Sequence, residues 1–209
     1  MRQSDNSGIL HNATNLRTQI QDEFYDEFRF NLDGFTDLVR LQNGPDILEA
    51  IEDAYRNDGK EDTVIVVRSN KRANLYNQNI RERILFLENQ IAVGDYMMVV
   101  KNNYFWLKTS SEAGFVANGD IIEILELFAI KELYGFTFAE VRVQMVDYPN
   151  QRPFETVLLL DTINAETPSL SYEDGNRLYQ EVLADYQHET SKYKQFLGVK
   201  NNKYFNALQ

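Results

Sequence analysis

Hydrophobic residues in the first part of the chain fall at helical spacing. Ile9, Ala13, Leu16 and Ile20 recur at intervals of four, three and four, which predicts an amphipathic helix over residues 5–22. Asp5 or Ser7 is placed to cap its start. The next stretch, from Asp22 to Phe30, alternates acid pairs with aromatics. It is either an acidic docking surface or a solvated face with its rings packed inward. Gly44-Pro45-Asp46 opens a second helix, Ile47, Ile51 and Ala54 mark its inner face, and Asn57-Asp58-Gly59 closes it. Thr63-Val64-Ile65-Val66-Val67 is a continuous β-branched run, the pattern of a strand buried on both faces in a parallel sheet with helices on either side. A third helix begins near Lys71, with Ala73, Tyr76, Ile80, Ile84 and Leu87 on its inner stripe.

From about residue 90 the pattern changes to short strand-like segments, at 96–101, 104–108, 121–130, 139–147 and 156–161. Val141, Val143 and Met145 alternate with Glu140, Arg142 and Gln144, which marks a half-buried antiparallel strand. Short strands joined by Gly and Asn turns point to a small barrel. Ser171 caps a last helix, with Asp174 in its first turn and Leu178, Val182 and Tyr186 inside. The tail from Lys192 is polar and aromatic, without a closing signal. The expected fold class is α/β plus β: an incomplete α/β layer over 1–88, a small β-barrel over 89–165, and a C-terminal helix with a return segment over 166–209. A layer with one central strand leaves sheet edges open, so marginal stability or self-association is expected.

Composition narrows the classes of function. The 209 residues are 43% hydrophobic and 12% aromatic, enough to bury a core. There is no cysteine, which excludes disulfides and thiolate chemistry. No leader and no long apolar run is visible, so a cytoplasmic protein without membrane contact is expected. The net charge of −11 argues against a dedicated nucleic-acid-binding domain and leaves room only for a local basic patch. No glycine-rich phosphate loop occurs, and Asp58-Gly59-Lys60 lacks the glycine frame one needs. The only histidines, His11 and His188, make no local metal motif. No metal site and no self-contained enzyme is expected.

Two segments have the chemistry of binding. Arg68-Ser69-Asn70-Lys71-Arg72 follows the predicted strand and enters a helix. Its cations, hydroxyl and amide suit phosphate oxygens, with donors from the helix N-terminus behind them. The same residues also make an ordinary strand-to-helix loop with a polar cap. Lys101-Asn102-Asn103-Tyr104-Phe105-Trp106 combines a cation, amides and aromatics, as single-stranded DNA sites do. It is equally a hairpin turn at Asn102-Asn103 with Tyr104 and Trp106 in a barrel core.

Taken together, these segments resemble part of a superfamily-one DNA helicase of the RecD/Dda type, the 5′–3′ group related to the exodeoxyribonuclease V alpha chain. Arg2-Gln3-Ser4 before a helix is similar to the family's motif IV, which implies that Arg2 reaches the ATP γ-phosphate. Residues 63–81 resemble a strand, loop and Asn-rich helix of the second RecA-like domain, which implies DNA contacts from Arg68, Ser69, Asn70, Lys71 and Arg72. Gly94-Asp95, Lys101-Asn102-Asn103-Tyr104 and Asn118-Gly119-Asp120 are similar to the pattern of an SH3-like barrel inserted in that domain. There the resemblance implies single-stranded DNA contacts from Lys101, Asn102, Asn103 and Tyr104.

The motifs that hold phosphate and magnesium, and the later motifs, are not in these residues. The expectation is therefore a fragment of the parent motor, inactive alone, with ATP, Mg2+ and a first motor domain supplied by the parent. One alternative is an acidic protein-interaction module with an SH3-like barrel and no DNA role. A further one is a structural subunit of a nuclease–helicase complex.

Overall fold

The computed structural model describes residues 7–23, 27–163, 165 and 169–209. These form two compact units, Met1–Ile65 and Val66–Gln209.

In the first unit, helix α1 (Gly8–Gln21) starts at Ser7, whose Oγ accepts from Leu10 N at 3.2 Å and donates to Asp37 Oδ2 at 2.7 Å. Gly8 N and Ile9 N also donate to Asp37. The Ser7 hydroxyl and these amides hold the Asp37 carboxyl below its ordinary value against partial desolvation. Asn12 is buried and clasps the following loop, with Nδ2 donating to Asn31 O and Oδ1 accepting from Asn31 N. Gly8 is required here because a Cβ would collide with Phe35 and Leu38. The packing therefore differs from the predicted one: Gly8 and Asn12 are buried, whereas Ile9, Leu16 and Ile20 stay exposed. The loop is seated by a polar clasp rather than by that apolar stripe. In the acidic-aromatic stretch, residues 24–26 lie outside the described residues; Phe28 and Phe30 meet edge-on at 5.0 Å and Phe30 is exposed. Helix α2 (Gly44–Asn57) is capped by Asn43, which accepts from Asp46 N at 2.9 Å.

The predicted buried strand at 63–67 is not one. Val64 and Val66 are 81% and 89% exposed, and among the described residues no strand pairs with the segment. A β-branched run favours extended backbone, but a strand needs a ladder partner. The described sheet draws all its strands from residues 96–159.

In the second unit, helix α3 (Asn70–Asn79) runs into a π turn at Ile80–Ile84. A four-stranded antiparallel sheet follows, curled into a half-barrel, in the order β1 (Tyr96–Met98), β2 (Ile121–Leu133), β3 (Phe136–Met145), β4 (Phe154–Leu159). Irregularities at Ile124/Glu126 and Leu127/Ala129 bend β2. Tyr134 and Gly135, with φ of 55° and 72°, close the β2–β3 hairpin in the manner of a type I′ turn. The expected strand at 104–108 is absent; a single bridge, Asn103 to Val116, stands near it. That segment is held by side-chain bonds instead of a ladder, as set out below.

Both faces of β3 are covered, over different halves. Val141, Val143 and Met145 face a core with Val99, Val116, Ile122 and Ile124. Phe136 and Phe138 face helices α4 (Tyr172–Ala184) and α5 (Lys192–Lys200), through Leu178, Val182 and Val199. Ser171 caps α4 as the sequence predicts, accepting from Asp174 N at 3.0 Å. Helix α5, in the polar tail, is a finding of the structure.

Beyond α5 the chain returns to the sheet. Leu208 N donates to Val157 O at 2.7 Å and Leu159 N donates to Leu208 O at 2.9 Å. Glu140 fastens the same segment by accepting from Lys203 Nζ (2.5 Å), Tyr204 Oη (2.8 Å) and Lys131 Nζ (3.0 Å). The hydrogen bonds from Lys203 and then Lys131 bring its carboxyl down to about 2.

Two stability measurements follow. Thr156 is buried in β4 and its hydroxyl has no partner among the described residues, so Thr156→Val should raise stability by about 1 kcal/mol in thermal or urea unfolding. Removing the Glu140 charge in Glu140→Gln should cost about 1–3 kcal/mol at neutral pH. Because folding lowers the Glu140 pKa, the unfolded chain takes up the proton first as pH falls. The gap between wild type and Glu140→Gln should then shrink from the ordinary carboxylate pKa of 4.5 down toward about 2.

Candidate nucleic-acid interface

The glycine–aspartate steps build the edge of the half-barrel by one device used twice. In Ala92-Val93-Gly94-Asp95, Asp95 N donates to Ala92 O at 3.2 Å and Ala92 N donates to Asp95 Oδ2 at 2.7 Å. In Ala117-Asn118-Gly119-Asp120 the same two bonds recur, at 3.2 and 2.7 Å. Gly94 and Gly119 have φ of 87° and 98°, the third-position conformation of a type II turn that glycine alone adopts freely. Each turn is also bonded across the strand pair: Gly94 N donates to Ile124 O, and Gly119 N to Val99 O. Asp95, nearly buried, receives a two-point contact from Arg81, Nε to Oδ1 at 2.8 Å and Nη2 to Oδ2 at 2.9 Å. Arg81 thereby ties the end of the α3 segment to the sheet.

The amides of Lys101-Asn102-Asn103-Tyr104 are occupied in shaping their own loop. Asn102 Oδ1 accepts from Asn118 N at 2.8 Å. Asn103 Nδ2 donates to Asn206 O at 2.9 Å, and its Oδ1 accepts from Phe105 N. Trp106 Nε1 donates to the same Asn206 O at 2.8 Å, and the Trp106 ring packs inward. Tyr104 goes the other way: it is 70% exposed and stacks on Phe115 at 4.8 Å and 22°. Of the four residues expected to touch DNA here, Lys101, Asn102 and Tyr104 are exposed and Asn103 is half-buried, and the Asn102 and Asn103 side chains brace the loop.

All four border a groove of about 630 Å3, walled on the other side by α4 and by the end of α5 with the segment after it. No Asp or Glu side chain lines this groove, in a chain with 32 of them. Tyr172, Asn176, Lys200 and Asn201 belong to its second wall and were not expected from the sequence. A signal was present, since Lys200-Asn201-Asn202-Lys203-Tyr204 echoes Lys101-Asn102-Asn103-Tyr104. The echo is structural too: Asn202 Oδ1 accepts from Tyr204 N as Asn103 Oδ1 accepts from Phe105 N.

Arg68, Ser69, Asn70, Lys71 and Arg72 are exposed, and none of them lines the groove. Ser69 is the cap of α3, accepting from Arg72 N at 3.3 Å, so its hydroxyl serves the helix. Among the described residues the sheet expected in front of this loop is absent, since no strand pairs with 63–67. Arg2 lies outside the described residues. Among the described residues, no group of three His, Cys, Asp or Glu side chains is arranged to hold a metal ion, and no helix is long and apolar enough to cross a membrane. A scan against family models and a search of curated proteins both found no match to this chain.

The Arg81–Asp95 pair gives a direct test of the turn device. Asp95→Ala leaves the guanidinium and Ala92 N without their shared acceptor, and should cost about 3–5 kcal/mol in chemical unfolding. Asp120→Ala, which removes the equivalent turn bond without a charge partner, should cost less, about 1 kcal/mol.

Proposed function

We propose that this chain is a DNA-contacting part of a superfamily-one helicase motor of the RecD/Dda type. In this reading the half-barrel corresponds to the SH3-like insertion, and residues before it to part of the second RecA-like domain. One observation carries the reading. The Asn-Asn-Tyr and Asn-Gly-Asp residues meet through the Asn102–Asn118 bond in one corner, with the Gly94-Asp95 turn at the other end of β1, and that corner presents Lys101 and Tyr104 to a groove that no Asp or Glu side chain lines. An outward ring beside a cation stacks on unpaired bases of any sequence while the cation meets phosphate.

Arg68, Lys71 and Arg72 supply a second, electrostatic contact in this reading. ATP and Mg2+ belong to the parent motor, with its first motor domain and with Arg2 as the γ-phosphate contact. The rival reading, an acidic protein-interaction module, draws on the net charge of −11 and on the exposed Leu125, Phe128 and Ile130 of β2.

Fluorescence anisotropy separates the two. A short single-stranded oligonucleotide titrated at low and then moderate salt should bind, and weaken as salt rises. Tyr104→Ala should weaken binding roughly 5- to 100-fold, and Lys71→Ala should reduce the salt dependence. Absence of binding at low salt, with capture of a basic protein instead, would decide for the interaction module.

A further inference from the structure

We infer that the α4–α5 wall of the groove is the second half of a single-stranded nucleic-acid site, with Tyr172 as a base-stacking platform and Lys200 as a phosphate contact. This deepens the reading of Lys101 and Tyr104 given above and rests on it.

Tyr172 is 90% exposed, and among the described residues it meets no other ring. Its backbone is nonetheless fixed. It is the first residue of α4, directly after the Ser171 cap, whose hydroxyl is bonded to both the amide and the carboxylate of Asp174. With the backbone fixed, only the two side-chain torsions of the tyrosine remain to be ordered against a flat ligand.

Lys200 ends α5, and its carbonyl accepts from Asn206 Nδ2 at 2.8 Å. Several cations of this unit lie against carboxylates: Arg81 on Asp95, Arg142 on Glu126 and Glu155, Lys131 and Lys203 on Glu140, Arg177 on Asp174. Lys101 and Lys200 form no ion pair among the described residues, and both face the groove that no Asp or Glu side chain lines. Two lysines on opposite walls of one groove, with no Asp or Glu side chain in its lining, mark a place for an anion. The exposed tyrosines, one per wall, make that anion one with flat bases.

The nearby acids do not spoil the site. Asp174 is turned to Ser171 and Arg177, and Glu173 does not line the groove. Gly175 adds room: a Cβ there would meet nothing within 4 Å, so packing does not require glycine at a helical position where it is unfavourable. Stacking on both walls demands splayed bases, so the ligand is an unpaired strand rather than a duplex.

The test is anisotropy of a labelled oligothymidine with the full 209-residue chain. Tyr172→Ala should weaken binding roughly 5- to 100-fold, and Tyr172→Phe should restore it because the ring does the stacking. Lys200→Ala should lower the slope of log affinity against log salt by about 0.7. Gly175→Leu should raise the melting temperature through helix propensity while weakening binding by filling the groove, a combination that damage to the fold does not produce. Tyr193→Ala, which removes an exposed ring outside the groove, should change nothing, and duplex of the same length should bind more weakly. If Tyr104→Ala weakens binding while Tyr172→Ala, Lys200→Ala and Gly175→Leu leave it unchanged, the second wall is refuted and the reading of the first stands. If wild type binds no single strand at low salt, both fall.

Discussion

The carbonyl of Asn206 receives two side-chain hydrogen bonds, from Asn103 Nδ2 and Trp106 Nε1, and much of the second unit depends on that junction. Residues 99–106 have almost no ladder of their own beyond the bridge at Asn103. Their conformation is set by bonds to residues 116–120 on one side and, on the other, by the segment that follows α5. That segment is held on its other side by β4 through Leu208 and by the Glu140 cluster through Lys203 and Tyr204. The loop that presents Tyr104 is thus fixed in part through residues about a hundred positions away. Loss of the Glu140 cluster would loosen the groove from a distance, although Glu140 does not line it.

This arrangement separates two jobs that a motif runs together. Gly94, Asp95, Asn102, Asn103, Gly119 and Asp120 make turns and brace them. What they brace is a tyrosine ring and a lysine. Substitution of the bracing residues should act on stability and on binding at once. Substitution of Lys101 should act on binding alone, and substitution of Tyr104 on binding with the added loss of its stacking on Phe115. The structure therefore supplies a criterion for reading mutants of this corner that the bare sequence pattern does not.

Elements whose stability is local were legible in the sequence. Helix α4 followed from Ser171 and the spacing of Leu178 and Val182, and β3 from the alternation of Val141, Val143 and Met145. Where the outcome depended on distant partners, the sequence was ambiguous. The 63–67 run has every local mark of a strand, but pairing is a property of two segments, and the described sheet contains none that meets it. Helix α5 was hidden by Gly198, a poor helix former whose missing Cβ admits the Tyr186 ring. Ser69 looked like a phosphate donor and is a helix cap, since the same hydroxyl chemistry serves both. The first wall of the groove was visible as Lys101-Asn102-Asn103-Tyr104. The second was not, because Tyr172 and Lys200 come together with it only through the fold.

A chain of net charge −11 is an unlikely host for an anion only if its charge is treated as uniform. Electrostatic reach is set by the ionic atmosphere, about 30 Å at 0.01 M salt and about 8 Å at physiological strength. At very low salt the whole acidic surface repels a polyanion and opposes encounter. At physiological strength the distant carboxylates are screened, and the two lysines in the groove act at contact distance with little opposition from nearby acid. Counter-ion release from the strand pulls the other way and weakens binding as salt rises. The two effects have different ranges, so the acidic balance should flatten the salt dependence at its low end rather than abolish binding. Net charge governs how fast a strand arrives, whereas the groove's lining governs whether it stays, and only the lining is specific to this fold.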